Sequence, residues 1–308
     1  SRKNHAAKII ADSVTGNYIM KHRLTLAHSP DPDDAFMWWP LADIDGNGSA
    51  LDVEDFTFEL VMKDIETLNE EAERGSFDIT AISIAHFPKV ASIYDLTACG
   101  ASLGDGYGPK IVSKIPISID ELLDEHPVFA VPGERTSALA ALRILAGDRQ
   151  IKWESVSFTE IMKVVVEGKY SAGVVIHEGQ LTYDSHGLHQ VCDLGAWWKE
   201  RTGLPLPLGG NTIKKDLDDR FGDGATLKVT KLLLESIEYA MLNRDQSLEW
   251  AMKWGRGIDL ARIDEFVNMY VNRWTLDFGE RGKKAVQLFL QEAADIGAVP
   301  RIDSVVFV

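Results

Sequence analysis

The sequence predicts an α/β protein of two doubly wound sheets, with a smaller domain inserted into a larger one. Residues 24–83 alternate short apolar runs with helical stretches in the order β-α-β-α-β, which implies a parallel sheet with crossover helices. After Ile115-Pro-Ile a second, smaller alternation begins and runs to His177. The proline-rich Leu204-Pro-Leu-Pro-Leu-Gly-Gly210 then returns the chain to amphipathic helices suited to covering the first sheet. The division expected is 21–114 with 210–308 as a discontinuous large domain, 115–209 as the inserted small domain, and 1–20 as an N-terminal arm. Two crossings between domains make a hinge and a cleft, an architecture that encloses a ligand by closure.

Each element has a local cause. Leu24-Thr-Leu-Ala-His28 reads as the first strand, and Ser29-Pro-Asp-Pro-Asp-Asp34 leads into a helix beginning at Ala35. Prolines and acids ahead of an apolar run are ordinary capping chemistry. Residues 56–61 form the second strand. Residues 64–73 have helical spacing, with Ile65, Leu68 and Ala72 on one face and Gly75 as the stop. A third strand covers 78–83, and extended segments at 96–102 and 110–113 flank the turn Gly104-Asp-Gly-Tyr-Gly-Pro109. In the second unit a strand at 128–131 leads through Pro132-Gly-Glu-Arg135 into a helix over 136–145. A strand at 156–158, a helix around 160–166 and strands at 173–177 and 190–194 follow. Long helices are expected over 225–242 and about 285–296, with the stripe Leu227, Leu234, Ile237 and Met241 as core.

Composition narrows the function. The 308 residues, 45% hydrophobic and 26% charged, fit a soluble globular protein of about two domains. A formal charge of -15 argues against nucleic acid or an anionic membrane surface as partner. An anionic ligand would need locally oriented amides or hydroxyls to overcome that field. Cys99 and Cys192 are far apart and lack metal-ligand spacing, which argues against a disulfide framework or a zinc site and fits a reducing compartment. The basic opening residues lead into no continuous apolar run of the secretory type, and no run approaches the roughly 20 residues of a membrane span. A cytoplasmic protein is expected.

The segment Ala172-Gly-Val-Val-Ile-His-Glu-Gly-Gln-Leu181 reads as a buried strand broken off by His177. Ligands of open α/β sheets bind beyond the carboxyl ends of the strands, so His177 is expected at a cleft mouth. Imidazole titrates nearest neutral pH and is the ordinary mover of protons there, although a hydrogen-bonded structural histidine fits the same pattern. Ser29 and Ser83 end two other strands, while Thr136 and Ser137 open a helix whose first turn offers amides and hydroxyls to a carboxylate or phosphate. His86, on the turn after Ser83, reads as structural. The glycine-rich turn lacks both the Walker lysine and the dinucleotide fingerprint, leaving a close backbone approach to a flat ligand or a plain hairpin. His186 and His189 sit in a loop with no further metal ligand nearby, and no nucleophile elbow is present.

Taken in order, Ser29-Pro-Asp-Pro-Asp-Asp-Ala-Phe36, Asp64-Ile-Glu-Thr-Leu-Asn69, Cys99-Gly-Ala-Ser-Leu-Gly-Asp-Gly-Tyr-Gly-Pro109, Val175-Ile-His-Glu-Gly179, Asp193-Leu-Gly-Ala-Trp-Trp198 and Thr202-Gly-Leu-Pro-Leu-Pro-Leu-Gly209 resemble one family. It is 1,4-dihydroxy-6-naphthoate synthase, of the futalosine route to menaquinone. The resemblance implies a two-domain fold of the type II periplasmic-binding-protein kind. It also implies a lyase that splits cyclic dehypoxanthine futalosine without metal or organic cofactor. On that resemblance His177 is the general base, Thr136 and Ser137 hold the substrate carboxylate, and Ser29, Ser83 and Ser102 are further polar contacts. The partner implied is a small-molecule carboxylate, with a homodimer left open. One departure stands out: many relatives carry Cys and Asn where this chain has Asp31 and Asp33, which brings negative charge close to the ligand. Two other readings compete, a solute-binding protein of the same fold and chorismate dehydratase. The absence of a visible secretion signal weighs against the first, and the His-Glu-Gly and Trp-Trp segments weigh against the second.

Overall fold

The structure, a computed structural model, describes residues 21–44, 46–253, 257 and 259–308; the arm expected over 1–20 lies outside them. β1 (His22–His28), α1 (Pro32–Trp38), β2 (Phe56–Met62), α2 (Ile65–Ala72) and β3 (Ile79–Ser83) follow the expected alternation. β1 lies between β2 and β3 and is parallel to both. All five residues of β3 are buried, as befits a central strand, whereas β2 hides Phe56 and Phe58 and exposes Thr57 and Glu59. Asp64 starts α2 by accepting the Thr67 amide at 3.0 Å. The short helix α3 (Phe87–Val90) leads to β4 (Tyr94–Leu96) and β5 (Ser102–Gly104). These two strands replace the single extended segment expected over 96–102. The chain bends between them at Gly100, whose φ of +79° and close approach to Asn211 (a Cβ would lie 2.5 Å from Nδ2) only glycine accommodates.

The second sheet is built from β6 (Lys110–Ser113), β7 (Val128–Val131), β8 (Lys152–Ser155), β9 (Ala172–Val175) and β10 (His189–Asp193), in the spatial order β10-β6-β9-β7-β8. Its helices are α4 (Ile119–Asp124), α5 (Ser137–Ala146) and α6 (Ile161–Val166). The sequence reading assigns no helix at α4, although Ser118 and Glu121 close a capping box there. It also places a strand at 156–158, whereas the strand found there, β8, ends at Ser155 and is an edge strand whose exposed Lys152 and Glu154 conceal the pattern.

After α7 (Leu194–Thr202), β11 (Leu206–Lys214) re-enters the first sheet, antiparallel to β3, β4 and β5. That sheet is therefore mixed, in the order β2-β1-β3-β11-β4, rather than parallel throughout. The segment read as a return crossing is thus largely a strand, and Pro207 is tolerated beside the register shift that spans it and Gly209. Strand pairing puts the two crossings at 105–109 and 194–205, the first ahead of the boundary expected at 115. The crossings touch each other. A Cβ on Gly195 would stand 1.8 Å from the Tyr107 carbonyl oxygen, and one on Gly108 would stand 2.9 Å from the Gly195 amide nitrogen. The glycine-rich turn serves this backbone packing, which corrects the expected approach to a flat ligand.

The remaining helices are α8 (Leu217–Phe221), α9 (Ala225–Leu242), α10 (Arg244–Met252), α11 (Leu260–Tyr270), α12 (Arg273–Leu276) and α13 (Gly279–Asp295). On α9 the buried face is Val229, Leu232, Leu233, Ser236, Ile237 and Ala240. Ile237 lies in the core and the half-buried Leu234 and Met241 pack against it, but Leu227 is 74% exposed, so the expected stripe fails at Leu227. The helix turns this other face inward because it docks on α1, where the Ser236 hydroxyl donates to the Met37 carbonyl at 2.6 Å. One core gathers Phe36, Trp38 and Phe56 under α9; another joins Phe129, Trp198, Phe278 and Phe289 across both sheets. No helix among the described residues is long and apolar enough to cross a membrane.

Candidate active site

The carboxyl ends of β1, β3, β7 and β9 meet β11 around one cavity whose free space, counted out to the solvent at its mouth, is about 760 Å³. Ser29, Ser83, Ser102, Thr136, Ser137 and His177 all border it. The cavity also holds side chains that the sequence reading did not place there, among them Gln180, Asn211, Phe266 and Tyr270.

His177 follows β9 but is not part of it, contrary to the strand expected over 173–177. It opens a tight 3-10 turn, His177–Leu181, with φ at +53°, a left-handed backbone that histidine adopts rarely. The side chain is buried, 8% of the residue being exposed, with its ring edge-on to Phe158 at 4.7 Å between centroids. Nε2 lies 3.4 Å from the Phe158 carbonyl oxygen. Nδ1 has two neighbours that ask for opposite tautomers. The Gly179 amide donates to a bare Nδ1 at 3.0 Å, while the buried Glu178 carboxylate, at 3.3 Å, would accept from a protonated one. A Cβ at 179 would fall 2.9 Å from Val175 and 3.0 Å from the imidazole, so glycine is needed for this turn.

On the opposite sheet, Ser29 follows β1 and sits among carboxylates. Its hydroxyl is 2.7 Å from Asp34 Oδ2 and 3.0 Å from Asp31 Oδ2, and its amide donates to Asp34 at 2.9 Å. Asp31, at the start of α1, makes no capping bond through its side chain, so capping alone does not account for these acids. Burial raises the pKa of Asp34, and it raises that of Asp33 well above the ordinary value, with the charges of Asp34 and Asp31 adding to the effect. Burial lowers the pKa of neighbouring His28, whose Nδ1–H donates to the Ser29 carbonyl at 2.7 Å. Ser83 is held by Asn69, which accepts from its amide at 2.9 Å and donates to its hydroxyl at 3.0 Å. Ser102 reaches Asp33 at 3.4 Å.

Thr136 and Ser137 have their hydroxyls engaged inside the protein. Thr136 caps α5 through the Leu139 amide and donates to the Gly133 carbonyl; Ser137 donates to Leu208 and accepts from the Ala85 amide. What α5 offers the cavity is its N-terminus, since the first-turn amides of Ser137 and Ala138 have no acceptor within the helix. His86 stays outside the cavity, buried beside Glu73, and burial lowers its pKa to about 4.

Bonds between the two halves close the site. Arg135 pairs with Glu66, Glu70 and Glu73 of the α2 region at 2.8, 3.3 and 3.2 Å. Tyr270, from α11, donates to Gln180 at 2.9 Å. Asn211 fixes its amide by donating to the Gly100 carbonyl at 2.8 Å, and its buried Oδ1 has no hydrogen-bond partner among the described residues. The Tyr270 and Phe266 signal was invisible because an aromatic on an amphipathic helix reads as core whether it meets a sheet or a cavity.

Comparison with known proteins fits this geometry. A profile of the family described as menaquinone biosynthesis matches residues 24–295. Over 270 residues the chain is 35% identical to a 1,4-dihydroxy-6-naphthoate synthase of Thermus thermophilus, covering 88% of this chain and 93% of that one. Over 283 residues it is 34% identical to the synthase of the same name from Streptomyces coelicolor, covering 91% and 95%. A crystal structure of a protein from Archaeoglobus fulgidus superposes with a TM-score of 0.79 at 36% identity, over 90% of this chain and 99% of that one. The alkanesulfonate-binding protein SsuA of Xanthomonas axonopodis pv. citri gives 0.64 at 12% identity, over 91% and 94%, a likeness of fold alone. The fold is that of the periplasmic binding proteins, and the chain belongs to the menaquinone-biosynthesis family in which the 1,4-dihydroxy-6-naphthoate synthases are its relatives.

Proposed function

We propose that the protein is a lyase that converts cyclic dehypoxanthine futalosine to 1,4-dihydroxy-6-naphthoate, with His177 as general base. The observation that carries this reading is a buried imidazole on the wall of the cavity, next to a carboxylate that can hold its second nitrogen. In the tautomer with Nδ1–H turned to Glu178, Nε2 is the basic nitrogen and takes a ligand proton in exchange for its 3.4 Å approach to the Phe158 carbonyl oxygen, and the imidazolium formed keeps Glu178 as its counter-charge. The substrate carboxylate lies against the first-turn amides of α5 at Ser137 and Ala138, where the helix dipole offsets the negative charge of the whole molecule. Ser83 and Ser102 orient the remainder, and aromatisation of the product supplies driving force, so binding and proton movement are the protein's main tasks. The two sheets act as lobes that open and close about the paired crossings, with Arg135 and α2 as the closing contact.

The test is incubation of purified protein with cyclic dehypoxanthine futalosine, following naphthoate by mass. Release of naphthoate is the expected result. Retention of the intact compound would make the protein a receptor on the same fold.

A further inference from the structure

His177 has a companion on its own turn. The segment His177–Leu181 is a 3-10 helix, in which side chains three residues apart stand one above the other, separated by about 6 Å of rise. Gln180 is three residues on from His177, and both border the cavity. Imidazole and carboxamide are therefore presented on one face of one turn. Gln180 is 3% exposed, and a buried amide calls for partners at its oxygen and at its nitrogen.

The opposite lobe decides which end of the amide is left for a ligand. Tyr270 closes α11, is 3% exposed, and lies with its hydroxyl 2.9 Å from Gln180 Oε1. Burial raises the pKa of that hydroxyl, so it keeps its proton, and Oε1 is the one acceptor it meets among the described residues. Turned about, the amide would leave the buried hydroxyl without an acceptor. Tyr270 is itself well fixed. Its ring stands edge-on to Tyr107 of the first crossing at 5.8 Å between centroids and packs on Phe266, and its carbonyl accepts from Thr275 at 2.6 Å. With Oε1 engaged in this way, the Nε2 amino group of Gln180 donates to no described residue and is left for the cavity that the side chain borders.

We propose that Gln180 is a catalytic residue of this site, its Nε2–H donating to the ligand carbonyl oxygen on which charge develops as His177 takes the neighbouring C–H proton, and that Tyr270 is the positioning residue that holds the amide in that sense. The inference rests on the lyase reading and deepens it. As the new N–H bond forms on His177, the ligand C–H bond breaks and its electron pair moves through the adjoining carbon to the carbonyl oxygen. An enolate oxygen and an imidazolium result, charge and electrons balance, and no oxidant or reductant is consumed. The Gln180 protons stay on nitrogen throughout, and the hydrogen bond strengthens as the oxygen gains charge. Base and donor ride on the same turn and keep their spacing however the lobes move. The bond from Tyr270 joins the two lobes, so the amide is aligned when they meet.

Gln180→Met keeps an unbranched side chain of similar length and removes the N–H groups. The expected result is a kcat lower by about 100-fold, with KM within about threefold because the lost bond matters most once charge has developed. Tyr270→Phe leaves the amide but frees it to turn. It should lower kcat by about tenfold when made alone and not at all beside Gln180→Met. A bond that merely ties the lobes together would behave otherwise, raising KM and lowering the melting point while kcat for Gln180→Met stayed within about threefold of wild type. That result overturns the inference, as does an equal loss of kcat from Tyr270→Phe in both backgrounds. Wild-type protein that forms no naphthoate instead overturns the lyase reading, and the donor role with it.

Discussion

The wall of the cavity given by the first sheet carries Asp31, Asp33 and Asp34 around Ser29, whereas the wall given by the second carries His177 and the N-terminus of α5. Both walls are made in the same way, from strand tips running into helix starts, yet one gathers acid and the other gathers positive dipole and a base. A ligand with one anionic end is therefore oriented before any side chain moves. Its carboxylate belongs to the second wall, and its hydroxyls face the first. On the proposed function, a protein of net charge -15 takes its anion at the start of α5, where first-turn amides oppose the field of the whole molecule.

The contrast is broken most directly at His177. His177→Ala should lower kcat/KM by about 100-fold or more, and should lower the melting point modestly, because the Phe158 contact is lost and the Gly179 amide and Glu178 carboxylate lose a buried partner. A loss below about tenfold, or 1.4 kcal/mol of barrier, would take the imidazole out of the chemistry. The acidic wall is tested by pH. The folded-state pKa of Asp33 lies above its unfolded value, so its contribution to stability is present below the ordinary carboxylate range and is lost as pH rises through the folded value. In that window wild-type stability should fall by about 1.4 kcal/mol per pH unit relative to Asp33→Asn. Denaturant curves at several pH values that remain parallel for the two proteins would contradict this.

Smaller effects sharpen the comparison. Asn69→Leu strips Ser83 of its donor and acceptor and should cost about 1–3 kcal/mol of stability by leaving buried groups unpaired; a variant as stable as wild type in urea would show that water replaces the amide. Thr136→Val removes the cap of α5 at about 1 kcal/mol and should raise KM while leaving kcat near wild type. An unchanged KM would locate the carboxylate away from that helix.

The four junctions that build the site were legible because each is an apolar run ending abruptly at a polar turn: Ala27-His28-Ser29, Ile82-Ser83, Val131 through Ser137, and Val175-Ile176-His177. A strand's direction places its end, and the fold places the ends together. Residues from other layers were not legible. Tyr270 and Phe266 reach the cavity from a helix whose spacing is that of any core-facing helix, and Asn211 lies inside a strand that the prolines disguised as a crossing. Leu227 was misassigned because a seven-residue spacing picks a stripe without fixing which neighbour the helix docks against. The acids of α1 were visible as letters but ambiguous in role, since capping and cavity lining use the same residue types.

The contact of the two crossings at Gly108 and Gly195 has a mechanical meaning. Two lengths of main chain lie against each other with nothing between them, so the angle at which the halves meet is fixed by bare peptide planes. A single methyl group at 195, a residue outside the cavity lining, would act as a wedge that forces these two peptide stretches apart.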